Sequence, residues 1–318
     1  MLLRYSAIAI DFILVDMYNL QRVKRKRVKE MRIPELFEQK KPVFSFEIFP
    51  PKREANVDSI YDTVEGLKDC KPDFISVTYS AGGTNNKKLT CEIASKIKHE
   101  YGIEPLAHLT CVNSTRLDVR IMIERFVDAG IENIMALRGD IIEGQEMQND
   151  FLHANDLAIE LQRKCQDNIE ILGACYPEVH YQSKSMDEDI HNLKYKIGAG
   201  VKVLITQLFF DNDKFYMFMG KARNMGIDVP VSAGIMPIVK KSQIERTVAL
   251  SGSSLPKDFT DMIEKYQDDA PSLYDAGIEY AIKQGRDLIE NGTEGIHIYT
   301  MNNADVARKV HAGLKDLL

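Results

Sequence analysis

The heptapeptide Ser45-Phe46-Glu47-Ile48-Phe49-Pro50-Pro51 sets one carboxylate among aromatic and aliphatic neighbours and ends the run with two prolines. Loss of water around such a group favours its protonated form, so Glu47 is expected to have a raised pKa and to act as a general acid near neutral pH. A structural carboxylate satisfied by a partner is the alternative. Arg138-Gly139-Asp140 offers a second carboxylate, beside a glycine that lets the backbone approach a ligand closely. An Arg138–Asp140 pair that closes the loop is the alternative there. Gln207 follows an apolar run in Ile205-Thr206-Gln207, where a neutral amide can read a heterocycle through one donor and one acceptor, or cap the loop. His108 has no second His, Cys or carboxylate at metal-ligand spacing, so hydrogen bonding to a cofactor or to the core is expected, and no metal. Thr78, Tyr176, His180 and Tyr299 are further polar residues at the ends of apolar runs. Asp189, Asn192 and Lys196 share one helical face, a pattern that is usually solvated.

Elements of one repeating kind must position these groups. Short β-branched or aromatic runs near 43–49, 73–79, 105–111, 133–138, 169–176, 202–208, 229–234 and 295–300 alternate with amphipathic helical stretches. Such alternation signals β-α units around a parallel sheet, and the near-continuous apolar character of the runs suits strands covered on both faces. Val57, Ile60, Tyr61, Val64 and Leu67 show the helical period, as do Val119, Met122, Ile123, Phe126 and Val127. Helices are also expected near 151–165 and 187–199, with extra helical material over 256–292, between strands seven and eight. Eight units without a linker predict a single-domain α/β chain folded as a closed (β/α)8 barrel over 31–318. Chemistry in that architecture gathers at the carboxyl ends of the strands, where the residues above fall.

Composition narrows the class of partner. With 318 residues, 44% hydrophobic and 28% charged, one large core is expected. A net charge of −6 gives no general pull toward nucleic acid or anionic lipid, so neither is an expected partner. Residues 6–15 are apolar but interrupted by Asp11 and too short to span a bilayer. The basic stretch at 22–32 precedes the first convincing element, near Val43, and residues 1–30 are expected to be an extension outside the fold. Five cysteines without a C-x-x-C pair fit reduced thiols in the cytoplasm. Neither a dinucleotide fingerprint G-x-G-x-x-G nor a P-loop is present. Lys202 begins its strand, far from the expected mouth, which disfavours Schiff-base chemistry.

The ordered motifs Ser45 to Pro51, Ser76-Val77-Thr78-Tyr79, His108-Leu109-Thr110-Cys111, Ala136-Leu137-Arg138-Gly139-Asp140, Tyr176-Pro177-Glu178-Val179-His180 and Ile205-Thr206-Gln207 resemble the methylenetetrahydrofolate reductases, from about Ile33 to Leu318. The resemblance implies an enzyme of one-carbon metabolism and methionine biosynthesis. It would hold FAD non-covalently, take hydride from NADH or NADPH, and reduce 5,10-methylenetetrahydrofolate to the 5-methyl form. It implies three catalytic residues: Glu47 as the acid that opens the folate ring, Asp140 between flavin and pterin, and Gln207 as a substrate contact. Tyr299 joins Glu47 and Gln207 in binding substrate. For FAD it implies Thr78, His108, Arg138, Gly139, Asp140, His153, Ala174, Tyr176, His180, Asp189, Asn192 and Lys196. The chain ends after the eighth helix, so regulation by S-adenosylmethionine is not expected, and a homo-oligomer is.

Three positions depart from the family pattern. His153 stands where relatives carry a tyrosine, Asn303 where they carry an arginine, and Thr247 where an aromatic residue is associated with nicotinamide binding. Thr247 admits an electron-donating partner protein in place of a nicotinamide. A non-catalytic folate-binding barrel is the remaining alternative, against which the retained Glu47, Asp140 and Gln207 speak.

Overall fold

A computed structural model describes residues 32–51, 56–79, 83–112, 114–141, 150–244, 247 and 253–318. The expected extension at 1–30 lies outside them. Eight parallel strands close on themselves in sequence order: β1 (Val43–Ile48), β2 (Phe74–Val77), β3 (Glu104–Thr110), β4 (Asn133–Leu137), β5 (Glu170–Cys175), β6 (Val201–Thr206), β7 (Val231–Ile235) and β8 (Gly295–Tyr299). β1 pairs with both β2 and β8, so Glu47 stands level with Ser76 on one side and Tyr299 on the other.

Successive strand side chains point to opposite faces of the sheet, which splits the apolar residues into two sets. Phe44, Phe46 and Ile48 pack outward with Ile75, Val77, Ile134, Ala136, Ile296 and Ile298 against the surrounding helices. Val43, Phe74, Leu106, Met135, Leu172, Val203 and Ile205 meet inside. Full burial of each such large side chain contributes about 1.5–3 kcal/mol. The helices include Asp58–Leu67, Arg116–Asp128, Ala154–Cys165 and Met186–Gly198, each with a buried apolar stripe. Ser185 caps the last of these, its hydroxyl accepting from Glu188 N. The extra material between β7 and β8 comprises helical residues 241–244 and the helices Lys257–Tyr266 and Ala270–Glu290.

Among the described residues a helix precedes every strand, Ile33–Gln39, where the sequence suggested no convincing element before Val43. It is only seven residues long, too short to show a convincing period, yet Ile33 and Phe37 are buried in the interior cluster and plug the amino end of the barrel. A charge network secures this base. Arg32 donates to Glu170 at 2.9 Å and lies 3.4 Å from Glu132. Lys98 donates to both Glu104 oxygens at 3.2 Å and to Glu132 at 3.3 Å. Asn133 donates to Glu104 and accepts from Ile33 N. Lys202 lies 2.7 Å from the second Glu170 oxygen, close enough for an ion pair though not aimed as a hydrogen bond.

Candidate active site

At the opposite end, the inward-facing positions turn polar. Ser45 and Glu47 on β1, Ser76 on β2, His108 on β3 and His297 and Tyr299 on β8 form one cluster above the apolar interior. Ser45 Oγ lies 2.7 Å from His297 Nδ1. Ser76 Oγ donates to Glu47 Oε2 at 3.2 Å, and His297 Nε2 lies 3.5 Å from the same oxygen. His108 Nε2 is also 3.5 Å from it, near enough for charge interaction but too poorly aimed for a hydrogen bond, and so it remains a buried polar atom without a partner. The Tyr299 hydroxyl donates to Thr206 O at 2.6 Å. Its ring crosses β7 at Gly234, where any Cβ would stand 2.6 Å from the ring.

This environment corrects the expectation for Glu47. Phe46 and Ile48 belong to the outer face and do not dry its carboxylate; its neighbours are hydroxyls and imidazoles. Burial pushes the carboxyl upward, but the hydrogen bond from His297, the positive potential of His108 and His297 and the Ser76 hydroxyl together hold it below the ordinary carboxylate value. Burial holds the His108 imidazole below its ordinary value against the pull of Glu47. Burial, aided by the Glu47 charge, pushes the Tyr299 phenol well above its ordinary range. His297 went unnoticed in the sequence because it stands mid-strand, yet the spacing of two from Tyr299 in Gly295-Ile296-His297-Ile298-Tyr299 places both on one face and could have revealed it.

A second group gathers where β4 and β5 end. Gly139 takes φ +86°, a left-handed conformation, and a Cβ there would stand 2.9 Å from the Thr110 side chain. Arg138 does not pair with Asp140. Its guanidinium donates to Gly139 O, to the Tyr181 hydroxyl at 2.6 Å and to Gln182 Oε1. Asp140 is exposed, with no side-chain hydrogen bond or ion pair among the described residues. Val179 takes φ +77°, strain of about 1–3 kcal/mol for a β-branched residue. Asp189 holds the strained turn by accepting from His180 N and from Ser183 Oγ, each at 3.0 Å. Lys196 reaches Ala174 O at 2.6 Å, and burial draws its ammonium below the ordinary lysine range. Burial pushes the Tyr176 phenol to about 12. The helical face of Asp189, Asn192 and Lys196 is thus not uniformly solvated: only Asn192 is exposed.

Other expected residues stand apart from these two groups. Gln207 turns its amide oxygen to Leu208 N at 2.9 Å, the loop-capping role, while its Nε2 makes no hydrogen bond among the described residues. Thr78 donates its backbone N–H to Ile48 O at the end of β2. His153 is exposed at the start of the helix Ala154–Cys165. Asn303 caps the helix Ala304–Leu314, accepting from Val306 N at 3.2 Å. Thr247 is buried, with its hydroxyl 3.6 Å from Met236 Sδ. Among the described residues no group of three or more His, Cys, Asp or Glu could hold a metal ion, and no helix is long and apolar enough to cross a membrane.

The profile of the family Methylenetetrahydrofolate reductase matches residues 32–315. The chain is 32% identical over 263 residues to 5,10-methylenetetrahydrofolate reductase of Escherichia coli, covering 83% of this chain and 87% of that one. It is 34% identical over 266 residues to methylenetetrahydrofolate reductase 1 of Schizosaccharomyces pombe, covering 82% of this chain. It spans only 44% of the length of that yeast relative and 48% of a similar one from Arabidopsis thaliana. A solved Clostridium thermocellum protein described as binding two copies of 5-methyl-5,6,7,8-tetrahydrofolic acid shares the fold with a TM-score of 0.60 at 15% identity, over 89% of this chain and 97% of that one.

Proposed function

Because the chain belongs to the methylenetetrahydrofolate reductase family, we propose that it reduces 5,10-methylenetetrahydrofolate to 5-methyltetrahydrofolate, with non-covalently held FAD and a reduced nicotinamide as donor. The observation that carries the reading is a carboxylate, Glu47, set among Ser76, His108 and His297 at the open end of a barrel whose other end is plugged. The residues present fit a flavin dinucleotide. His108 Nε2 lacks a partner, Gly139 brings backbone close to Thr110, and Arg138 and Lys196 supply cations beside β5. Bound there, FAD supplies the two-electron carrier between donor and folate.

Opening the five-membered folate ring needs a proton at the departing nitrogen, and Glu47 supplies it. The Glu47 side chain is 18% exposed. A ligand seated over that edge removes the remaining water and raises the proton affinity of the carboxylate, which corrects its resting ionised state toward what an acid requires. His297, tied to Ser45, holds the carboxylate in place from below. Asp140, uncommitted and exposed, opposes the positive charge that ring opening creates on the one-carbon unit. Gln207 Nε2 is available to the pterin, and the Tyr299 side chain stands level with Glu47 on the neighbouring strand. Thr78, Tyr176, His180, Asp189 and Asn192 complete the proposed cofactor contacts, with His153 at the rim.

A second reading concerns the donor alone. Thr247 is buried against Met236 and offers no ring to a nicotinamide, which favours electrons delivered by a partner protein. Anaerobic visible spectroscopy of the purified protein tests both readings. Bleaching of bound flavin by NADH or NADPH, followed by recovery on adding methylenetetrahydrofolate, is expected. Flavin that bleaches only with a reduced dye and recovers with folate supports the partner-fed reading, and a protein that takes up no flavin from added FAD overturns both.

A further inference from the structure

Tyr181 is 75% exposed, yet it is fixed at both edges. Its hydroxyl accepts from Arg138 at 2.6 Å, and its ring stands 4.5 Å from that of His180 at an interplanar angle of 33°. His180 in turn stands 4.6 Å from the ring of Tyr176, and its Nδ1 accepts from Gln182 N at 3.2 Å. The Arg138 guanidinium lies 5.8 Å from the Tyr181 ring centre and donates to Gln182 as well. Three rings therefore step outward from the end of β5, half-buried at Tyr176 and His180 and open at Tyr181, with a cation alongside the last. A flat face held still beside a guanidinium suits a heterocycle next to an anion.

The direction of the run says which part of a ligand it meets. In the closed strand order β5 lies across the barrel from β1 and Glu47. On the reading that FAD is the carrier, its reacting ring belongs over Glu47 and Asp140, and the rest of the molecule extends outward past β4 and β5. Three of the five Arg138 N–H groups are committed to Gly139, Tyr181 and Gln182, which orients the others. We propose that Tyr181 is a cofactor-binding residue whose ring stacks on the adenine of the dinucleotide, and that Tyr181 and Gln182 are positioning residues that aim Arg138 at its diphosphate.

Equilibrium titration of the apoprotein with FAD and, separately, with FMN, followed by flavin fluorescence, tests this. Tyr181→Ala is expected to weaken FAD binding about fivefold to a hundredfold, the range of base stacking on an aromatic ring, and to leave FMN affinity unchanged. Tyr181→Phe keeps the ring, and Gln182 and Gly139 still hold Arg138 when the Tyr181 tie is lost, so it should retain most of the FAD affinity. AMP should compete with FAD on the unaltered protein and far less on Tyr181→Ala. FAD affinity of Tyr181→Ala within about twofold of the unaltered chain overturns the proposal, as does an equal loss for FAD and FMN. A Tyr181→Phe variant as weak as Tyr181→Ala overturns the stacking role. An unaltered chain that binds no FAD overturns the functional reading and this inference together, so the two failures are distinguishable.

Discussion

The base and the mouth of the barrel are both lined by charged and polar side chains, and they differ in how completely those side chains are matched. At the base Glu104, Glu132 and Glu170 are shared among Arg32, Lys98, Lys202 and Asn133. At the mouth Glu47 has three polar neighbours at 3.2–3.5 Å, His108 Nε2 has no hydrogen bond and Asp140 faces solvent. Residue type does not separate a structural cluster from a functional one here. Charge pairing does: Glu170 Oε2 at the base, also outside hydrogen-bond geometry, has Lys202 at 2.7 Å, whereas among the described residues no lysine or arginine pairs with Glu47 or Asp140, and a buried polar group left unmatched costs about 1–3 kcal/mol unless a ligand satisfies it.

The largest effect that would sharpen this contrast comes from Glu47→Gln. Folate-driven reoxidation should fall on the order of a hundredfold to ten-thousandfold, while flavin content and its reduction by donor stay intact. Separate stopped-flow measurement of the two half-reactions checks this, and folate turnover near normal removes Glu47 from the chemistry. Lys98→Ala should do the reverse. It takes the buried ammonium away from Glu104 and Glu132 at the base, leaving them Asn133 and Arg32, and should lower the unfolding free energy in urea by about 3 kcal/mol with both half-reactions unchanged. Lost activity at unchanged stability would erase the distinction between the two ends.

His297→Gln is expected to be intermediate. It removes the imidazole beneath Glu47 and should slow the folate step by roughly tenfold to a hundredfold, displacing the pH profile of that step and leaving donor oxidation alone. The smallest effect concerns acid stability. His108 and Glu47 both titrate below their ordinary values when folded, so as pH falls the unfolded chain takes up protons that the folded chain refuses. Stability is therefore lost first below the ordinary His value of 6.5 and again below the ordinary Glu value of 4.5. His108→Gln should flatten the first of these losses in melting temperature against pH and lessen the second, because Glu47 then lacks the positive potential of His108.

Much of the scaffold was legible in the sequence because strands and helices announce themselves by period. The run at 43–49 became Val43–Ile48, that at 202–208 became Val201–Thr206, and the stretch at 256–292 resolved into two helices. The helix Ile33–Gln39 was not legible, because its burial depends on the far end of a barrel that no local pattern describes. The same limit applies to Glu47. Its chain neighbours are apolar, but its spatial neighbours come from strands 29 to 250 residues away, and these set its charge state. His297 and Tyr181 escaped for related reasons, one hidden mid-strand and the other distinguished only by the contacts that hold it.

The plug formed by Ile33 and Phe37 also bears on traffic. With the floor sealed and the interior packed by Phe74, Leu106, Met135 and Leu172, the barrel is a cul-de-sac. On the proposed function, whatever is exchanged above Glu47 would come from the side opposite the plug, so two bulky visitors would take turns there, and a surplus of the second would keep the first waiting outside.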